Sequence, residues 1–198
     1  CLIGNRTEGG FLSDPVYDAF LAKAEELDVP IYLPPGVPPE NVIEECYRRN
    51  LPDRVGTVLS MYSFGWHVDP GVHMLNMVLS GVFDRHPKLQ MILGHWGELL
   101  PYFLDRFDAA MPAAFTGLDH EPGYYLRNNM YVTPSGIFTP ELLEYCLKML
   151  GADRIMFSID YPWTSTEGMQ KILDHPALSS ADKEKIAYGN AERLLHLS

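Results

Sequence analysis

Leu89-Gln90-Met91-Ile92-Leu93-Gly94-His95-Trp96-Gly97-Glu98 is a short apolar run that ends in Gly-His and passes into a helix-like segment. An apolar run this short, closed by turn residues, reads as a buried strand of a parallel sheet. In α/β folds the loops at the C-terminal ends of strands carry the chemistry. His95 stands at such an end. Arg154-Ile155-Met156-Phe157-Ser158-Ile159-Asp160-Tyr161-Pro162 has the same form, with Asp160 at the tip.

Outward from these two stretches, apolar and turn residues alternate in one pattern. Residues 1–4 read as a strand end, 29–33 as a strand with Pro30 near its start, and 130–133 as a short strand. Val16, Phe20, Ala24 and Leu27 recur at helical spacing, so 15–27 is an expected helix with Asp14 as its N-cap and Pro15 at its first position. Further helices are expected over 67–84, 97–110, 140–150, 166–174 and 181–196, the last with Ser179 or Ser180 as N-cap. Residues 34–65 begin with a proline-rich segment that excludes helix and central strand. This excursion is expected to carry helical pieces near 40–48 and 53–62 and to act as a binding loop or a surface insertion. Residues 112–123, rich in Pro and Gly, read as a loop. Strand and helix thus alternate through five strands, which argues a parallel sheet with helical crossovers in a single domain, 1–198.

Composition narrows the function. The chain of 198 residues is 46% hydrophobic and 21% charged, ordinary for a globular protein. A net charge of −11 argues against a nucleic-acid surface, and no apolar run approaches the ~20 residues of a membrane span. Cys1, Cys46 and Cys146 are widely spaced and odd in number, which favours a reducing, cytoplasmic compartment.

Two residues stand out chemically. His95 follows Gly94 at a strand tip with Glu98 three residues on; a carboxylate beside an imidazole orients the ring and raises its basicity, which suits acid/base work or metal ligation. Asp160 follows a mostly apolar run, where a carboxylate is costly unless paired or metal-bound. His67 and His73 flank the Asp69-Pro70-Gly71 turn, and either is a candidate for the pocket or for packing. His86 suits a helix C-terminus, and His120 and His175 read as solvated. Trp66, Trp96, Tyr161 and Trp163 are candidates for the wall of an apolar pocket. The chain has no phosphate-binding glycine loop, Gly-x-Ser-x-Gly elbow or His-x-His pair.

Ile92-Leu93-Gly94-His95-Trp96-Gly97-Glu98 and Phe157-Ser158-Ile159-Asp160-Tyr161-Pro162 resemble the amidohydrolase-related, metal-dependent decarboxylases, the group of aminocarboxymuconate semialdehyde and γ-resorcylate decarboxylases. Ser80-Gly81-Val82-Phe83-Asp84-Arg85-His86-Pro87-Lys88-Leu89 and Ile186-Ala187-Tyr188-Gly189-Asn190-Ala191-Glu192-Arg193-Leu194-Leu195 share the resemblance. It implies a distorted (β/α)8 TIM barrel with a divalent metal, Zn2+ or Mn2+, at the C-terminal ends of the strands. It implies Asp160 as metal ligand and proton donor or acceptor. His95 is implied as the histidine that contacts substrate or metal-bound water, itself a possible metal ligand, and Glu98 as the residue that steadies it. Trp66, His67, Trp96 and Trp163 are the expected substrate contacts. The implied reaction is decarboxylation of an aromatic or unsaturated small-molecule carboxylic acid by a homodimer.

Two departures accompany the resemblance. Pro34 stands where the family has a metal-binding histidine, and no first-strand His-x-His or Glu-x-His pair is present. A complete barrel has eight strands and typically ~250 residues. The chain is therefore expected to hold about the last five β/α units. Lactone or amide hydrolysis, and a non-catalytic partial homologue, are the alternative expectations.

Overall fold

The computed structural model describes residues 1–7 and 9–197. Its centre is a parallel sheet of β1 (Ile31–Leu33), β2 (Met91–Leu93) and β3 (Met130–Val132), hydrogen-bonded in that order. Ile31 pairs with Met91 and Met91 with Met130. Leu2 bridges Tyr32 outside β1, and Ile155 bridges Val132 outside β3, both parallel. The expected strands at 1–4 and 155–159 reduce to these single bridges, one on each edge of a three-stranded sheet.

Side-chain alternation gives the sheet two faces. Ile31, Leu33, Met91, Leu93, Met130, Val132 and Ile155 point to the helices and join the main core. Tyr32, Ile92, Tyr131 and Met156 point the other way, where Leu194 and Ala191 meet them. Each fully buried aliphatic side chain contributes about 1.5–3 kcal/mol.

Helices α1 (Asp18–Glu26), α2 (Gly65–Leu79), α3 (Leu104–Ala110), α4 (Pro122–Asn128) and α5 (Pro140–Leu150) carry the crossovers, with shorter turns between them, and α6 (Asn190–Leu195) follows the bridge at Ile155. The excursion is helical at Glu40–Val42, Ile43–Arg48, Asp53–Val58 and Leu59–Ser63, close to the two pieces expected. The Ser179 hydroxyl caps Ser180–Glu184 by accepting from the Asp182 amide.

Several expectations are corrected. Leu21 and Ala24 bury α1, whereas Val16, Phe20 and Leu27 are exposed; the helix starts three residues later than expected, after a 3-10 turn at Pro15–Tyr17, so the buried stripe is rotated. The expected helix over 67–84 is two helices, α2 and Val82–Arg85, because Gly81 takes a left-handed φ of 72° between them. The expected loop at 112–123 contains the turn Ala113–Thr116 and leads into α4, which starts at Pro122 and buries Tyr125 and Leu126. The helical stretch at 166–174 reduces to Gln170–Leu173. Among the described residues no helix is long and apolar enough to cross a membrane.

Candidate active site

The expected helix over 97–110 is not continuous, and its departure builds the site. After β2 the segment His95–Glu98 coils left-handed: φ is 46° at His95, 60° at Trp96, 82° at Gly97, 50° at Glu98 and 71° at Leu99. Right-handed winding resumes at Leu100–Phe103 and α3. A left-handed conformation costs a non-glycine residue ~1–2 kcal/mol, so the segment persists only because its surroundings hold it. The Trp96 amide donates to the Thr133 carbonyl at 2.8 Å and the Gly97 amide to the Gly94 carbonyl at 2.7 Å. The Trp96 indole is buried in the core, and its Nε1–H donates to the Ile137 carbonyl at 2.8 Å. Trp96 therefore anchors the segment from below. It does not line the cavity described next, contrary to the substrate contact expected of it.

This conformation brings His95 and Glu98 together. His95 Nδ1 lies 2.7 Å from Glu98 Oε1, and the Glu98 side chain is wholly buried. The second carboxylate oxygen, Oε2, lies 3.0 Å from Nδ1 of His67, on α2. The rings of His67 and His95 approach to 4.3 Å between centroids. A carboxylate only accepts, so both histidines turn an Nδ1–H toward Glu98. His67 Nε2 accepts from Trp66 Nε1–H at 3.0 Å. Burial by itself lowers the pKa of His67, but the hydrogen bond and charge of Glu98, with the Tyr62 carbonyl and the Asp160 charge, outweigh it and raise the pKa above its ordinary value.

A cavity of about 880 Å³ opens at the C-terminal ends of the strands. Tyr32, Pro34 and Pro35 line it from β1, His95 from β2, and Ser135, Gly136 and Ile137 from the loop after β3. Asp160, Trp163 and Thr164 come from the loop after Ile155, and Tyr62, Trp66 and His67 close it from the excursion and α2. The structure thus brings Asp160, His95, His67, Trp66 and Trp163 to one cavity, with Glu98 directly behind two of them. Asp160 is exposed on its wall, and Trp163 stands at the rim, 86% exposed.

Of nine non-glycine residues with positive φ among those described, six are His95, Trp96, Glu98, Leu99, Ser135 and Asp160. Unfavourable backbone is therefore concentrated around this cavity, as at functional sites.

Tyr32 and Ser135 were not singled out in the sequence. Beneath the cavity Ser135 Oγ lies 2.8 Å from Thr133 Oγ1 and 3.3 Å from Ser158 Oγ. The Tyr32 hydroxyl joins this group; burial raises its pKa, the Ser135 and Thr133 hydrogen bonds oppose that, and the charges of Glu98 and Asp160 add to it. Strand alternation was the available signal: Ile31 and Leu33 face the helices, so Tyr32 faces the site.

The other histidines lie outside the cavity. His73 is buried away from the cavity: its Nε2 accepts from the Leu12 amide at 2.8 Å and its Nδ1–H donates to the Asn5 carbonyl. His86 ends Val82–Arg85, as expected, and meets Asp18 and Glu25. His120 is exposed, as expected, and stacks on Tyr124. His175 is half-buried beside Glu144 rather than solvated. No cysteine lines the cavity, and burial pushes the Cys146 thiol up to about 12.

The donors at the cavity suit a divalent cation in kind. Asp160 offers carboxylate oxygens, and His95 has no hydrogen bond at Nε2 among the described residues. One oxygen and one imidazole donor match manganese or zinc chemistry. Ligand atoms of His67, His95 and Glu98 also lie within 4.8 Å of one another, but there the hydrogen bonds already engage them. Pro34 contributes no donor side chain.

A family model described as amidohydrolase matches residues 1–197. A decarboxylase of Emericella nidulans, orsB, is 39% identical over 201 residues, covering 98% of this chain and 60% of the relative. A gamma-resorcylate decarboxylase of Rhodococcus jostii is 35% identical over 188 residues, covering 92% and 55%. The crystal structure of a dihydroxybenzoic acid decarboxylase from Polaromonas, with bound manganese and the inhibitor 2-nitroresorcinol, superposes with a TM-score of 0.83 at 31% identity, covering 94% and 55%. The chain thus spans between half and two thirds of the length of these relatives.

Proposed function

The chain belongs to the amidohydrolase family, and from that premise we propose that it carries part of the active site of a metal-dependent carboxy-lyase for an aromatic carboxylic acid. One observation carries the reading: Asp160 and the Glu98-held His95 converge on a cavity walled by Tyr62, Trp66 and Trp163. An aromatic wall with a few polar groups suits a flat, anionic ring. Three parallel strands in chain order, with one parallel bridge on each edge, support five consecutive β/α units of an eight-stranded barrel, with the cavity at the mouth where such barrels hold their sites.

Asp160 is the residue of this chain that would hold the metal; His95 Nε2 suits ligation in kind, but a ligated nitrogen has no lone pair left for a proton, so here it is kept for the substrate. When bound, manganese or zinc would supply a Lewis acid and a template for the substrate. The residues do the rest. Asp160 in its protonated form delivers the proton to the ring carbon that bears the carboxylate; the carbon–carbon bond breaks, its electrons return to the ring, carbon dioxide leaves, and the Asp160 carboxylate takes up a new proton from water. Glu98 holds Nδ1–H of His95, so that Nε2 meets the substrate or a water as acid or base. Trp66 and Trp163 are the substrate contacts at the wall; both ring nitrogens of His67 are engaged, by Trp66 and Glu98. A homodimer rests on the family resemblance, and a cytoplasmic location on the cysteine pattern.

The test is carbon dioxide release from gamma-resorcylate (2,6-dihydroxybenzoate) and related hydroxybenzoates by the manganese-loaded protein. Asp160→Asn is expected to abolish it while leaving the fold intact. Undiminished release by that variant overturns the assignment, and turnover of lactones in place of the acids replaces it with hydrolysis.

A further inference from the structure

We propose that His67 is a positioning residue for His95, acting through Glu98; the inference rests on the reading of His95 as the acid/base. Glu98 uses both carboxylate oxygens, one for each histidine, at 2.7 Å and 3.0 Å. With Oε2 tied to His67, the carboxylate plane is fixed, and Oε1 is left at the one place where His95 Nδ1–H reaches it. The polarity is fixed as well. Because Glu98 accepts from both rings, His95 carries its proton on Nδ1 and turns Nε2 outward. His67 is itself oriented from behind. Its Nε2 accepts from Trp66 Nε1–H at 3.0 Å. A chain of four groups, Trp66 to His67 to Glu98 to His95, therefore runs along the cavity wall.

A second observation points to the same helix. Gly71 lies one turn beyond His67 on α2, on the same face. A Cβ at Gly71 would stand 2.7 Å from the Glu98 carbonyl oxygen. One face of α2 thus grips Glu98 twice, its side chain through His67 and its backbone by the close approach of Gly71. The left-handed segment that carries Glu98 lacks a regular helical ladder of its own, so a neighbouring element has to define its shape. Groups that orient an active imidazole through a shared carboxylate typically change activity 10–100-fold when removed.

His67→Phe in the manganese-loaded protein tests this. We expect kcat to fall about 10–100-fold with KM for gamma-resorcylate changed by no more than about twofold, the signature of a lost transition-state interaction. In the zinc-loaded protein, which is diamagnetic, we also expect nitrogen-15 NMR of the imidazoles to show that His95 loses its single Nδ1–H tautomer. His67→Gln keeps an N–H donor for Glu98 and is expected to recover most of both. A folded His67→Phe protein with unchanged kcat and an unchanged His95 tautomer overturns the proposal, and so does a fall in kcat with the tautomer intact. Should His67→Phe fail to fold, His67→Met carries the same readings. If the wild type releases no carbon dioxide from any hydroxybenzoate, the carboxy-lyase reading is lost, and the tautomer alone decides the positioning role.

Discussion

Acidification from pH 7 to pH 4 is expected to remove about 3 kcal/mol of stability through His73 alone. His73 is 1% exposed, and both ring nitrogens are committed. Nδ1–H donates to the Asn5 carbonyl, and Nε2 accepts from the Leu12 amide at 2.8 Å. Protonation at Nε2 would set two N–H groups against each other in a dry site. Burial is the largest cause of the lowered pKa, which falls from 6.5 to about 4 despite the Asn5 hydrogen bond and the charge of Asp69. At about 1.4 kcal/mol per factor of ten, that difference amounts to about 3 kcal/mol. The sign follows from proton uptake: between these values the unfolded chain binds the proton and the native state does not. The stability is therefore full above pH 6.5, declines as pH falls from 6.5 to about 4, and declines no further below. Urea titrations across this range on the wild type and His73→Gln measure it. Every other ionisable group titrates in both proteins, so the difference between the two curves isolates His73. Parallel curves would refute the reasoning.

Arg6→Ala is expected to cost about 2–3 kcal/mol, because it strips a two-pronged partner at 2.8 Å from Asp69, which keeps only the Asn5 amide; Arg6→Lys should recover little of the urea midpoint, since an ammonium has no planar fork. Gly94→Ala is expected to cost about 1–3 kcal/mol by crowding, because its Cβ would meet Ser135 Oγ at 2.8 Å and the Tyr32 hydroxyl at 3.0 Å. Gly97→Ala should cost more in the same thermal melts, since a φ of 82° adds to a Cβ contact of 2.8 Å with Val132. Equal melting temperatures for the two glycine variants would contradict this order.

What was legible in the sequence follows from short-range physics. Ile92-Leu93 and Tyr131-Val132 are apolar runs too short for helices, so their strands could be read without partners. Asp160 and His95 could be read because a polar group at a buried strand's end needs a reason to be there. The buried stripe of α1 departs from the expected one because Pro15 opens a 3-10 turn, which shifts the helical phase expected from Val16 and Phe20. Trp96 was expected at the cavity as one of the aromatics of an apolar wall. Adjacent residues point apart in either regular geometry, and here the indole fills the core while the imidazole faces out.

The left-handed segment is the part that no local pattern announces. Trp, Glu and Leu have no propensity for positive φ and His only a modest one, and Gly97 alone resembles an ordinary turn signal. The conformation is chosen by contacts that are distant in sequence: Thr133 and Ile137 from beyond β3, and His67 and Gly71 from α2. The same contacts make it useful. In a right-handed helix His95 and Glu98 would also be neighbours, three residues apart, but a regular helix start would not bury Trp96 beneath them. Left-handed winding sends Trp96 into the core and Glu98 into a closed space against α2, which leaves His95 as the member of the trio that reaches the cavity. The backbone cost of the segment is thus tied to the placement of one imidazole, and a change that relaxed the segment would move His95 away from Asp160's cavity before it touched the sheet.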